Sequence, residues 1–149
     1  MNTIRPWVKR ASAVLREGKI FIEPISRTVT LWNVSTDPVL ISSPDDPDLG
    51  LKMLETLGRS MDGLPEPKNL MDEKSTVMVK AAGLRSWRQL IRGAKLVSFS
   101  FDGGQVTFTP SRNGGYGKAF LYLADQFHCP AVSEEMAATL LEAFDACRT

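Results

Sequence analysis

Histidine occurs once in this sequence, at His128, and cysteine twice, at Cys129 and Cys147. A zinc-type site needs three or four converging nitrogen, sulfur or carboxylate ligands, and none stands near His128 at workable spacing. A Ser-His-Asp or Cys-His enzyme would have to use the same His128. Its neighbour Cys129 points the other way if the Phe-His-Cys-Pro run is a strand, which argues against a dyad. Two cysteines are too few for a disulfide framework, so they read as buried, reduced thiols of a cytoplasmic protein. An excess of either charge is missing too: 18 Lys and Arg face 17 Asp and Glu, for a net charge of +1. That removes the case for holding nucleic acid or a membrane surface by bulk charge. No apolar run approaches a membrane span. The basic start of the chain lacks the apolar core and cleavage site of a secretory signal. The expectation is a cytoplasmic protein without cofactor, metal or catalytic residues.

What is present suits one globular domain over residues 1–149. The apolar share is 43 % and the charged share 23 %, enough for a real core. Residues 1–16 are basic and weakly apolar, and read as a lead strand or as part of a partly ordered basic arm over 1–18. Residues 19–25, 27–34 and 38–42 read as strands from their β-branched and aromatic content, with Ser26-Arg27 as a tight connection. Asp46 then caps a helix over 47–57, with Pro47 at its first position and Leu51, Leu54 and Leu57 as its stripe. Residues 61–70 form a loop. Residues 73–82 suit a short helix or strand, and Ser86 caps a short helix with Trp87, Leu90 and Ile91 on one face.

Strands resume at 96–101 and 105–109, joined by the Asp102-Gly103-Gly104 turn, where glycine permits positive φ. Residues 111–117 read as a glycine-rich loop, and 119–123 and 127–131 as strands. Ser133 caps a last helix with Glu134 and Glu135 in its first turn and Met136, Leu140, Leu141, Phe144 and Cys147 buried. The fold class is α+β: antiparallel sheets with two helices, arranged as a tandem strand-strand-strand-helix repeat joined by a short helical linker.

Few residues suggest a site. The acidic run around Asp45, Asp46 and Asp48 suits helix capping or contact with a partner. Arg112, Asn113 and Tyr116, on the glycine-rich loop, suit a partner contact; that loop lacks the Lys-Ser/Thr of a phosphate cradle. Arg85, Arg88 and Arg92 flank Trp87, a combination that suits single-stranded nucleic acid or an ordinary solvated helix face. Trp7, Trp32 and Trp87 read as core or core-edge residues.

The second half resembles a known family. The run GLRSW at 83–87, VTFTPSR at 106–112 followed by Gly114-Gly115, then Pro130 and a final helix ending AFDACR at 143–148, is similar to the immunity proteins of contact-dependent growth inhibition systems (CdiI-type). The acidic segment with Leu49-Gly50 leading a helix fits too, so that the resemblance covers residues 19–148. It implies a cytoplasmic protein that binds and neutralises the C-terminal toxin domain, often a nuclease, of an incoming effector. It also implies a fold that in some relatives is like the Whirly single-stranded-DNA-binding domain. Many nuclease inhibitors are strongly acidic and this chain is not. Either the toxin-binding face is locally acidic, around Asp45, Asp46 and Asp48, or binding lies away from the toxin's active site. A single-stranded nucleic-acid binder using Arg85, Trp87, Arg88 and Arg92 is the alternative; a hydrolase using His128 ranks last.

Overall fold

The computed structural model describes residues 6–66, 77–114 and 120–148. In chain order these contain β1 (Lys9–Arg16), β2 (Lys19–Arg27), β3 (Asn33–Ser35), β4 (Leu40–Ser42), α1 (Leu49–Gly58), α2 (Trp87–Ile91), β5 (Lys95–Phe101), β6 (Val106–Asn113), β7 (Phe120–Tyr122), β8 (Phe127–Cys129) and α3 (Ser133–Ala146). A further helical turn spans residues 77–81.

Alternation in the four long strands assigns each face of the sheet. Ala11, Ala13, Ile20, Ile22, Val97, Phe99, Val106 and Phe108 lie on one face and are buried. Across β5 and β6, Phe99 pairs with Phe108, and their rings stack 5.5 Å apart. Helices α1 and α3 cover this face with Leu49, Met53, Leu57, Met136, Leu140, Ala143 and Phe144. The two helices nearly touch at Gly50, where a Cβ would sit 1.9 Å from the Ser133 carbonyl oxygen. Only glycine fits there, since the obstacle is backbone.

The sheet is antiparallel, ordered β3-β2-β1-β5-β6-β7, with β4 also pairing β2 and β8 also pairing β6. Four strands and a helix thus occur twice in the same order, and the first strands of the two units pair at the centre. The expected tandem repeat is realised with four strands per unit, because β1 belongs to the first. Residues 9–16 are therefore no flexible arm but the middle of the sheet, while residues 1–5 lie outside the described residues. Alanines at 11 and 13, fully buried, are weak strand formers by composition. Here they let the covering helices approach.

Three local expectations need correction. Residues 27–34 are not one strand, and Ser26-Arg27 is not a connection: β2 runs through Arg27, and the chain turns at 28–32. There the Thr28 N–H donates to the Trp32 carbonyl at 2.9 Å and the Trp32 N–H to Thr28 Oγ1 at 3.1 Å. This turn leaves Trp32 53 % exposed, outside the core. The cap of α1 is Asp48, without a side-chain cap bond, and the buried stripe is Leu49, Gly50, Met53, Thr56 and Leu57. Leu51 points outward at 56 % exposed. At α3 the cap position is Val132 and Ser133 is the first helical residue.

Other expectations hold. Ser86 Oγ accepts from the Gln89 N–H at 3.2 Å, capping α2 as an N-cap serine should. Leu90 and Ile91 are buried behind it, whereas Trp87 is 37 % exposed. Asp102 Oδ1 accepts from the Gly104 and Gln105 N–H groups at 2.8 and 3.0 Å, with Gly103 at φ +100°. No described helix is long and apolar enough to cross a membrane.

Candidate functional site

The second face of the sheet is divided. At one end Val14 and Phe21 pack with Met78, Val79, Leu90 and Ala94, beneath the helical linker. At the other end no described helix covers the outward positions of the strands, and they are polar: Arg10 and Ser12 on β1, Ser98 and Ser100 on β5, Thr107 and Thr109 on β6. Pairing sets them side by side, with Ser12 opposite Ser98, Arg10 opposite Ser100, and Ser100 opposite Thr107.

The edges of the sheet curl over this floor. Tyr122 of β7 and Val34 of β3, from opposite ends of the strand order, line one hollow of 310 Å³ together with Arg10, Ser12 and Ser98. A second hollow of 240 Å³ continues over Ser100, Thr107 and Thr109 to Gln126, sharing Arg10, Ser98 and Tyr122 with the first. Together they form an open, hydroxyl-lined trough.

Arg10 is the one charged side chain among the described residues that line either hollow. Its guanidinium carbon lies 5.5 Å from the centre of the Trp7 ring, within cation–π range. Arg27 approaches the same ring at 5.3 Å and forms a two-pronged bond with Asp62, Nε to Oδ1 at 2.7 Å and Nη2 to Oδ2 at 2.8 Å. Ser60 ties this corner together. Its hydroxyl accepts from Trp7 Nε1 and from the Arg10 N–H, both at 3.0 Å, and donates to the Ile25 carbonyl at 2.6 Å.

Glu23 sits behind the trough, on the same face and opposite Ser12. It is 8 % exposed. Its Oε1 accepts from Ser35 Oγ at 3.0 Å, while Oε2 is buried without a partner. Desolvation pushes its carboxyl up from the usual 4.5 to about 7, and the Ser35 bond opposes this. Tyr122 is 57 % exposed overall, yet enclosure of its hydroxyl end raises the phenol pKa, against a hydrogen bond with Ser98 and the field of Arg10.

Apolar side chains are exposed on the β2–β3 turn and on β7. Val29, Leu31 and Trp32 project from the β2–β3 turn at 62, 50 and 53 % exposed, and Leu121 from β7 at 62 %. The turn is fixed: Thr30 N–H donates to Glu66 Oε1 at 3.0 Å, its hydroxyl bonds the same oxygen, and Leu31 holds φ +72°. Exposed aromatic and aliphatic groups on a rigid support are the usual anchors of protein interfaces.

The residues singled out from sequence fall elsewhere. Asp45 and Asp48 are exposed on the turn before α1, and neither lines the trough. Asp46 is occupied internally, accepting from Lys52 Nζ at 2.6 Å, Ser42 Oγ at 2.7 Å and the Asp48 N–H at 2.9 Å. These bonds, led by Lys52, lower its pKa to about 2. Asn113 is not a loop contact: β6 extends through it, and its buried amide donates to the Ile91 and Ala94 carbonyls at 2.6 and 2.9 Å, fastening α2 to the sheet. Arg112 is exposed on β6. Tyr116 lies outside the described residues. Arg85, Trp87, Arg88 and Arg92 are exposed together on and around α2, where Trp87 meets Phe120 edge-on at 6.2 Å.

His128 and Cys129 occupy opposite faces, as alternation requires. His128 is exposed with Nδ1 at 3.1 Å from Thr107 Oγ1, and Cys129 is buried in the core. Among the described residues no three His, Cys, Asp or Glu side chains are placed to hold a metal ion.

Comparison with known proteins gives fold relatives only. No protein-family model matches the sequence, and no curated protein matches it. Among solved structures, a protein of unknown function from Neisseria meningitidis superposes with a TM-score of 0.73 at 20 % identity, covering 99 % of this chain and 100 % of that one. A chain of the CdiA-CT/CdiI toxin and immunity complex from Yersinia pseudotuberculosis superposes with a TM-score of 0.76 at 18 % identity, covering 96 % of this chain and 99 % of that one. The whole architecture, including the curled antiparallel sheet and its helices, is therefore like that of these proteins.

Proposed function

We propose that this protein is an immunity protein. It binds the C-terminal toxin domain, a nuclease, of a contact-dependent growth inhibition effector in the cytoplasm and neutralises it without catalysis or cofactor. The observation that carries this reading is the end-to-end likeness in fold to a chain of a toxin and immunity complex. The surface agrees with it: a preformed polar trough lined in part by exposed Tyr122, together with exposed Leu31 and Trp32 on the β2–β3 turn, offers hydrogen-bonding groups and anchors. The interface then lies on the open sheet face and not at the acidic turn of Asp45, Asp46 and Asp48. Cells expressing the toxin domain of the neighbouring effector gene should grow when this protein is co-expressed; continued killing with the protein soluble and folded sinks the proposal.

One observation favours a second reading. Arg85, Trp87, Arg88 and Arg92 are exposed together, and arginines around an aromatic ring suit single-stranded nucleic acid. That reading requires salt-dependent binding to oligonucleotides, and lack of binding at low salt removes it.

A further inference from the structure

We infer that the trough takes up an acidic side chain of the bound partner, whose carboxylate pairs with Arg10. The inference rests on the immunity reading and names the chemistry the toxin domain presents at this point.

Arg10 is built as a receptor and is unspent. Among the described residues its guanidinium forms no ion pair, although a carboxylate is close in register. Arg10 faces Ile25 while Ser12 faces Glu23, so Glu23 lies one diagonal away, committed to Ser35. The guanidinium is also positioned in advance. It lies over the Trp7 ring, Trp7 is fastened to Ser60, and Arg27, locked to Asp62, approaches the same ring. A planar fork held on a ring loses little freedom when it binds, and it matches two carboxylate oxygens at once.

The surroundings choose the ligand. Hydroxyls of Ser98, Ser100, Thr107 and Thr109 and the phenol of Tyr122 line the hollow around Arg10, and each can donate to an acceptor oxygen. A lysine or arginine would meet Arg10 with like charge. An apolar side chain would leave the hydroxyls unpaired on closure, at the cost of buried polar groups without partners. A carboxylate satisfies both. A nucleic-acid strand is a poor match, because binding along a phosphate backbone draws on several cations and the trough offers Arg10 alone.

The test is calorimetric titration of the full-length protein with the folded toxin domain. Arg10→Gln removes the charge and shortens the side chain while leaving a polar end. It should weaken binding at least about 30-fold, and Arg10→Lys, which lacks the fork, about 10-fold. Replacing the toxin's surface Asp and Glu one at a time by their amides should find one whose loss costs as much and costs nothing further in the Arg10→Gln background. The single toxin replacements against the wild-type protein can be read even if an Arg10 variant folds poorly. Wild-type affinity in folded Arg10→Gln, or no acidic toxin residue that matters, overturns the inference while leaving the immunity reading standing. Failure of the wild-type protein to bind the folded toxin overturns both. Arg10-dependent binding of an oligonucleotide in place of the toxin overturns it in favour of phosphate.

Discussion

Glu23 is 8 % exposed, with one carboxyl oxygen bonded to Ser35 and the other buried without a partner among the described residues. Replacing it by glutamine isolates what that burial costs. The carboxyl rises from 4.5 to about 7 on folding, chiefly through desolvation. At about 1.4 kcal/mol per pH unit, that gap is worth roughly 3 kcal/mol. The sign follows from linkage. The folded state holds the proton more tightly than the unfolded chain, so this contribution is fully present below about pH 4.5. It is lost as pH rises through about 7. Glutamine is neutral at every pH and keeps an acceptor for Ser35. Urea unfolding of wild type and Glu23→Gln at pH 5, 6, 7 and 8 should therefore show the variant gaining on wild type by about 2–3 kcal/mol across the range. Most of the change should fall between pH 5 and 7, with little further change by pH 8. Curves that stay parallel from pH 5 to 8 would refute the burial of an isolated carboxyl on this face.

Gly50→Ala drives a methyl group into the Ser133 carbonyl, 1.9 Å away, so α1 and α3 must separate; a loss of about 3 kcal/mol or more in urea unfolding is expected, at the upper end for overpacking. Asp46→Asn removes the Lys52 pairing that holds the Asp46 carboxyl near 2. Since that carboxyl is depressed, its contribution is present above about pH 4 and disappears as pH falls through 2, so wild type and variant should converge in thermal melts toward pH 2. Trp32→Ala should weaken toxin binding 10-fold or more, as loss of an aromatic anchor does, measured by the same titration.

The two halves of the chain were unequally legible. Asp102-Gly103-Gly104 announces its hairpin because the turn needs positive φ and side-chain acceptors, and both are local. Met136, Leu140 and Phe144 announce α3 because a buried helix face repeats every three to four residues. β1 hides because Ala11 and Ala13 are small; their burial depends on helices that arrive more than thirty residues later. On α1 the spacing finds Leu57, in the core, and Leu54, packed against it, but also picks Leu51, equally apolar and facing outward; the contact of Gly50 with Ser133 fixes the rotation.

The candidate site was illegible for a related reason. Arg10, Ser98 and Thr109 come together only when β1 pairs with β5 and β5 with β6. Read along the chain, each is one polar residue in an alternating strand. The signal available was the uniform hydroxyl character of the outward positions, Ser98 and Ser100 on β5 and Thr107 and Thr109 on β6. Asn113 misled in the opposite sense: beside glycines it looks like a loop residue, whereas its amide closes two backbone carbonyls.

The central claim, that this protein neutralises a toxin by binding it, is tested most directly by calorimetric titration against the purified toxin domain encoded beside it. One-to-one binding with a dissociation constant in the nanomolar range, weakened by Arg10→Gln and Trp32→Ala and kept on Asp45→Asn, is the predicted result. A folded toxin domain that gives no heat of binding and no change in activity, while oligonucleotides bind through Arg85, Arg88 and Arg92, would contradict it.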